Sequence, residues 1–149
     1  MLKNYHRTPI DPPNAAFKDG DTEWLPILNV RIGRQHAKPS VRFLAVVDTG
    51  SPYCLFSAAL GRLIGLQIES GSMHQLTGVV AGALLPAYFH RVNLVIEENW
   101  TIDVMAGFSD QFGAGALLGR RGFFDHFIVR FDHSTKSPSF EIERIYRPS

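Results

Sequence analysis

The sequence has one cysteine, Cys54, among its 149 residues, so it cannot form an internal disulfide framework. Its stability must come from a hydrophobic core, and this length suits one domain that has such a core. Apolar residues make up 45% of the chain and charged residues 19%, which is typical of a globular protein. Because a single cysteine fits a reducing compartment, we expect a cytoplasmic location.

The sequence also lacks an excess of charge of either sign. Its net charge is +1 and it has no cluster of Lys and Arg, so we expect no binding to nucleic acid. No apolar run approaches the roughly 20 residues of a membrane span, and the first residues do not resemble a signal peptide. The six histidines are scattered without metal-ligand spacing, so we expect no metal and no cofactor.

The most informative stretch is an apolar run that ends in an acid. Residues 43–47 (FLAVV) lead directly into Asp48, Thr49 and Gly50. Such a run predicts a strand buried on both faces, and a carboxylate at its end is costly to bury unless it is hydrogen-bonded. Gly50 allows the chain to turn sharply. The stretch predicts a carboxylate held at a tight turn beside a cleft, although an ordinary turn would also use Asp and Gly.

Short apolar runs separated by turn residues make up most of the remaining chain. They predict an all-β fold with one or two short helices. The N-terminal residues 1–22 contain three prolines and predict an extended arm, either loose or laid along a neighbour, and residues 23–149 form the domain. Ser57 predicts the N-cap of a short helix that ends at Gly65. We predict strands at 23–32, 41–47, 53–56, 100–108, 127–131 and 139–145.

Residues 67–96 predict a long hairpin, whose centre is small, apolar and flanked by glycines. Such a tip is either a simple β-turn or an element that opens and closes over a cleft, and the residues leave both open. A second glycine-rich stretch follows at 112–120, where Leu117, Leu118 and Gly119 repeat the pattern of an apolar strand end followed by glycine. The glycine spacing there does not fit a dinucleotide-binding loop.

Two of these stretches resemble motifs of one enzyme family. Residues 45–51 (AVVDTGS) resemble the active-site loop of aspartic peptidases, and 117–124 (LLGRRGFF) resemble the Gly-Arg segment that opens the C-terminal helix of retroviral-type members. Their order and separation, with the hairpin between them, fit the retropepsin-like plan from about residue 25 to residue 145. The resemblance implies a single-lobe acid protease barrel.

The resemblance also implies how the chain would act. Since it has one Asp-Thr-Gly, it resembles the subunit of a homodimeric aspartic endopeptidase (a peptide hydrolase) in which each subunit supplies one Asp48 to a dyad. Two like charges held close cannot both stay ionised, so the pair shares one proton. One Asp48 then acts as general base on a water, and the other polarises the scissile carbonyl of a protein or peptide substrate.

Roles for individual residues follow from the same resemblance. Asp48, Thr49 and Gly50 form the catalytic loop, and the Thr49 hydroxyl locks the two loops together across the dimer axis. Ser51 is expected to donate a hydrogen bond to the outer oxygen of Asp48, which would favour activity at acidic pH. The expected substrate-binding residues are Ser51, Tyr53, Gly78, Val79, Val80, Ala81, Gly82 and Leu118, where Gly78 to Gly82 form the flap.

Gly119 and Arg120 are expected to be structural residues near the site. The sequence departs from the family here, because retroviral enzymes usually have an acid two residues beyond the glycine that pairs with this arginine. Pro52 stands at that position, so Arg120 needs another partner.

Two other interpretations use the same residues. The first is a catalytically silent dimer that keeps the retropepsin-like fold and binds extended peptide segments by strand addition. The second is a monomeric β domain in which the Asp-Thr-Gly motif occurs by chance. Cys54 lies near the proposed site, and we expect it to be a small buried apolar residue rather than a nucleophile.

Overall fold

The computed structural model describes residues 1–80, 83–113 and 115–148, with side chains throughout except at 78–80 and 83. The chain forms a single lobe of mostly β structure, which confirms the predicted all-β fold class. Its elements are β1 (Leu2–Asn4), β2 (His6–Pro9), β3 (Thr22–Leu25), β4 (Ile27–Arg34), β5 (Val41–Val47), β6 (Cys54–Ser57), α1 (Ala58–Leu63), a 3-10 turn (Ile68–Ser70), β7 (Ser72–Val80), β8 (Ala83–Ile96), β9 (Trp100–Ser109), β10 (Ala116–Leu118), β11 (Phe127–Asp132) and β12 (Ser139–Arg144).

Six strands close into a barrel. They pair in the order β4, β5, β10, β6, β9, β8, and β8 pairs back with β4. The long strand β8 uses residues 92–96 for that closure, and its first half pairs with β7 in the predicted hairpin. A closed ring lets each of these six strands pair on both sides over at least part of its length, which reduces the unpaired strand edge.

The barrel interior is a continuous apolar core. Strand β4 buries Leu28, Val30 and Ile32 on one face and leaves Asn29 exposed, as expected for a strand with one face on the core. Aromatic rings fill the larger spaces. The largest fully buried side chains include Phe56, Phe108, Phe123, Phe127 and Phe140.

The N-terminal residues pair with their own chain. Strand β1 pairs with β12, so that β1, β12 and β11 form a three-stranded sheet, and β2 pairs with β3. Tyr5 is buried against Phe140, and the Tyr5 hydroxyl lies 2.9 Å from Nε2 of His133. Lys3 forms an ion pair of 3.1 Å with Glu97. The proposed division of the chain at residue 22 stays a prediction.

One predicted strand is divided. The expected strand at 23–32 is split into β3 and β4 at Pro26, which has no N–H to donate; its carbonyl accepts a bond of 2.8 Å from Val47 N. Residues 122–126, for which the sequence allows a short helix or a turn, form turns, where Gly122 has a φ of +109° and its N–H donates to Asp125. The helix that the family resemblance implies after Arg120 is therefore not formed in the described residues.

The short helix α1 is confirmed. Ser57 is its N-cap and accepts a bond of 3.4 Å from Leu60 N, and Gly65 follows with a φ of +88°. Across the described part of the chain, no helix has the length and apolar character needed to cross a bilayer.

The C-terminal hairpin, formed by β11 and β12, contributes to the core. We therefore predict that replacing its two paired phenylalanines destabilises the protein to different extents. Phe140 is fully buried, whereas its cross-strand neighbour Phe131 is 41% exposed. We expect Phe140→Ala to lower the free energy of unfolding by about 3–5 kcal/mol and Phe131→Ala by less than about 1 kcal/mol. Urea unfolding at one fixed protein concentration measures both, and equal costs would contradict this account of the hairpin.

Candidate active site

The Asp48 loop begins where β5 ends, and β10 fixes that end. Strand β10 runs parallel to β5, with Leu117 opposite Val46 and Leu118 opposite Val47. The ladder continues one step further, since Asp48 N donates a bond of 3.0 Å to Leu118 O. The same strand runs antiparallel to β6 on its other side. Both ends of the loop are therefore attached to one central strand.

Bonds within the loop orient its carboxylate. Gly50 N donates to Oδ1 of Asp48 at 2.8 Å, and Ser51 N donates to the Asp48 carbonyl at 3.2 Å. This is an Asx-type turn, in which the acid replaces a backbone acceptor. Asp48 is half-buried, whereas Thr49 and Gly50 are exposed. The carboxylate is thus held in position and remains open to solvent.

The segment after β10 runs beside the loop and holds it from outside. Arg120 N donates to Ser51 O and Arg121 N donates to Pro52 O, both at 2.9 Å. A Cβ at Gly119 would overlap the Tyr53 carbonyl and lie 2.7 Å from Ser51 O, so only glycine allows this approach.

The Arg120 side chain has a partner that the sequence did not indicate. Its Nη1 donates a bond of 3.0 Å to the carbonyl of Thr49. The bond crosses directly from the Gly-Arg segment to the Asp48 loop. Arg120 and Gly119 therefore lie beside this loop, and their structural role at a functional site stays a prediction.

The positions predicted for two side chains, Ser51 and Leu118, need correction. The Ser51 hydroxyl is buried and donates to the Tyr53 carbonyl at 2.6 Å, so it does not make the expected bond to Asp48. The acidic pH preference inferred from that bond loses its support. Leu118 is fully buried in the barrel core, and Leu117, its neighbour, is the residue that faces the hairpin. Alternation along β10 decides which of the two leucines points outward.

The predicted hairpin is confirmed, and it lies over the β6 side of the barrel. A second buried cluster joins it to the barrel wall, with partly buried Tyr53, Phe89, Phe112 and Leu117 packed against the cluster. The members of the cluster are Leu55, Leu76, Leu85 and Ala87. Of the predicted flap residues, Gly78, Val79 and Val80 end β7, while Ala81 and Gly82 lie outside the described residues. A flap role for this segment stays a prediction.

Tyr53 lines a cleft, and its predicted contact with substrate stays a prediction. The cleft has a volume of about 360 Å³. The ring of Tyr53 packs edge-on against Phe89, with centroids 5.1 Å apart. Six further residues that the sequence did not single out as site residues also line it, namely Ser72, Met73, His74, Phe89, Met105 and Arg121. Tyr53 and Arg121 form a parallel β-bridge, so they are adjacent although 68 positions separate them in sequence.

Cys54 is buried beside the loop, as predicted. Burial raises the pKa of its thiol to about 11, so the reactive thiolate is scarce at neutral pH. Among the described residues, no group of three or more His, Cys, Asp or Glu side chains has the arrangement to hold a metal ion.

Comparisons with known proteins give limited information on this chain. No model of a protein family matches it, and neither does any curated protein. Among solved structures, it is similar to the EIAV protease complexed with the inhibitor HBY-793, with 18% sequence identity and a TM-score of 0.47. The likeness covers 64% of this chain and 82% of that one.

The contact at Gly119 predicts a large effect from a single methyl group. We expect Gly119→Ala to lower the free energy of unfolding by about 3 kcal/mol or more, because rigid backbone atoms block the new Cβ. Gly115→Ala is the matched control, since the atoms nearest to its Cβ would be in the movable Phe112 ring, at 3.1 Å and 3.2 Å, with the Phe112 carbonyl oxygen at 3.7 Å. Chemical denaturation of both variants measures the difference, and a Gly119→Ala protein of native stability would refute the close approach.

The environment of Cys54 predicts that its thiol is unreactive in the native protein. Below a pKa of about 11 the protonated form dominates, and the side chain is fully buried. We expect a thiol-specific reagent to label Cys54 at pH 8 only after denaturant is added. Rapid labelling of the native protein, followed by mass spectrometry, would contradict this.

Proposed function

We propose that this chain is a homodimeric aspartic endopeptidase in which each subunit contributes one Asp48. The observation that carries the proposal is the geometry of the Asp48 loop. Its carboxylate lies at the junction of β5, β10 and β6, is oriented by Gly50 N at 2.8 Å, and is open to solvent. A positioned, accessible carboxylate is what general acid–base chemistry requires.

The chemistry needs a second carboxylate. When two Asp48 side chains approach, their like charges favour a state with one shared proton. The ionised member takes a proton from a bound water as the water attacks the peptide carbonyl carbon. The protonated member donates its hydrogen to the carbonyl oxygen, and the leaving amine is later protonated as the C–N bond breaks.

A second copy of the chain is the source we propose for that carboxylate. The sequence contains a single Asp-Thr-Gly. Thr49 and Gly50 are exposed at the loop tip, and the Thr49 hydroxyl has no hydrogen-bond partner in ranges 1–80, 83–113 and 115–148. We infer that the hydroxyl bonds to its equivalent loop across a twofold axis, as the resemblance implies.

The substrate in this proposal is an extended peptide. The wall beside the loop presents the half-buried, apolar Tyr53 and Leu117, which favours apolar or aromatic side chains near the cut bond. The hairpin tip, Gly78 to Gly82, would then cover the bound segment and shield it from water.

The direct test is peptide cleavage by wild type and by Asp48→Asn, with pepstatin as an inhibitor of the wild type. We expect Asp48→Asn to lower kcat/KM by at least about a hundredfold, because it removes the general base and the shared proton. Asp19→Asn is the matched control, since Asp19 is exposed and directly precedes a glycine, Gly20, but does not follow an apolar run. Retained cleavage by Asp48→Asn would end the catalytic assignment.

Two further outcomes would separate the alternatives. Peptide binding without turnover across pH 4 to 7.5 would indicate the catalytically silent dimer instead. Sedimentation of wild type as a monomer at the assay concentration would contradict the shared dyad, because one subunit has only one such carboxylate. The active protein should sediment as a dimer, and its specific activity should rise with concentration.

A further inference from the structure

The cleft beside the Asp48 loop combines apolar walls with an uncompensated cation. Tyr53, Met73, Phe89 and Met105 supply the apolar surface, and Arg121 and His74 supply nitrogen donors. No acidic residue is among the described residues that line the cleft. Its charge therefore favours an anionic group over a cationic one.

Arg121 is one of six arginines, out of eleven, that form no ion pair with Asp or Glu within the described residues. Within the described residues, no carboxylate oxygen lies within 4.0 Å of its guanidinium, and the side chain is exposed. Its backbone, in contrast, is fixed, because Arg121 N donates to Pro52 O at 2.9 Å. Five other arginines form ion pairs with Asp or Glu, namely Arg31, Arg42, Arg62, Arg91 and Arg130.

The position of Arg121 relative to Asp48 follows from the loop. Arg121 forms a β-bridge with Tyr53, which is five residues after Asp48. Five residues of extended chain span at most about 18 Å. A bound extended peptide advances by about 3.3 Å per residue, so five of its residues cover a similar distance. A peptide cut at Asp48 would therefore bring a side chain to this cleft within about five residues of the cut bond.

We propose that Arg121 determines specificity by binding a carboxylate of the peptide substrate, within about five residues of the cleaved bond. This inference rests on the proposed peptidase function and names one feature of its substrate. Arginine stays charged at all working pH values and can bind a carboxylate through two parallel N–H groups. The methylene groups of a Glu side chain would contact Tyr53 and Met105, and His74 offers a further donor.

The expected size of the preference is modest, because Arg121 is exposed and water screens the pair. We expect Glu to be favoured over Gln by about fivefold in kcat/KM at one substrate position. The test uses a cleaved peptide and its variants, with Glu or Gln at each of the five positions on either side of the cut bond. Each peptide is also made with a free and an amidated C-terminus, so that a side-chain carboxylate is distinguished from a terminal one.

The protein variants isolate the charge of Arg121. Arg121→Met should abolish the preference, Arg121→Glu should reverse it in favour of Gln, and Arg121→Lys should keep part of it. Arg34→Met is the matched control, because Arg34 is also an exposed arginine. It lies at the last residue of β4, whereas the part of β4 near the Asp48 loop is its first residue, Ile27, which pairs with Val46. A Glu preference that is unchanged in Arg121→Met, or absent at every position in wild type, would overturn the inference. Thermal unfolding of each variant confirms that the fold is retained.

A binding assay separates this inference from the proposed function. Fluorescence anisotropy measures the affinity of the Asp48→Asn protein for labelled Glu and Gln peptides without any turnover. An affinity difference that disappears in the Asp48→Asn, Arg121→Met double variant supports the role of Arg121, even if wild type proves inactive. If wild type cleaves Glu and Gln peptides with equal kcat/KM and the two bind with equal affinity, the role of Arg121 is refuted. The peptidase proposal is then unaffected.

Discussion

Strand β10 lies between β5 and β6, and the geometry of the site depends on its backbone hydrogen bonds. It is only three residues long, yet it pairs parallel to one neighbour and antiparallel to the other. The chain that follows then donates Arg120 N and Arg121 N to carbonyls of the loop at 2.9 Å. Because backbone groups make these contacts, they position the loop with little dependence on side-chain rotamers.

This arrangement explains why the two informative motifs occur together in one chain. The Asp48 turn is held from outside by the second motif, since Asp48 N donates to Leu118 O and the carbonyls of Ser51 and Pro52 accept from Arg120 N and Arg121 N. Gly119 must lack a Cβ for the two segments to approach, and Arg120 adds a bond to the Thr49 carbonyl. The Gly-Arg segment is thus a support for the loop, and its second arginine, Arg121, is directed to the adjoining cleft.

The barrel and the hairpin are packed by two separate apolar clusters of different size. The barrel core is filled by large aromatic and branched side chains, whereas the hairpin contacts the wall through a separate cluster of four buried residues. A smaller cluster stabilises its element less than a large core does, since burial of apolar area sets the stabilisation. This division suits a site in which a fixed loop carries the chemistry and an adjacent hairpin covers the substrate.

The sequence by itself determined the all-β class, strand β5, helix α1, the hairpin and the Asp48 turn, because each depends on local patterns of apolar residues, caps and glycines. It did not determine which leucine of β10 faces outward, where the Ser51 hydroxyl bonds, or that β1 pairs with β12. Those features depend on register and pairing between segments far apart in the chain, which only the tertiary structure decided. The Arg121 cleft belongs with them, since it forms only when residues near 53, 74, 89, 105 and 121 meet across strands.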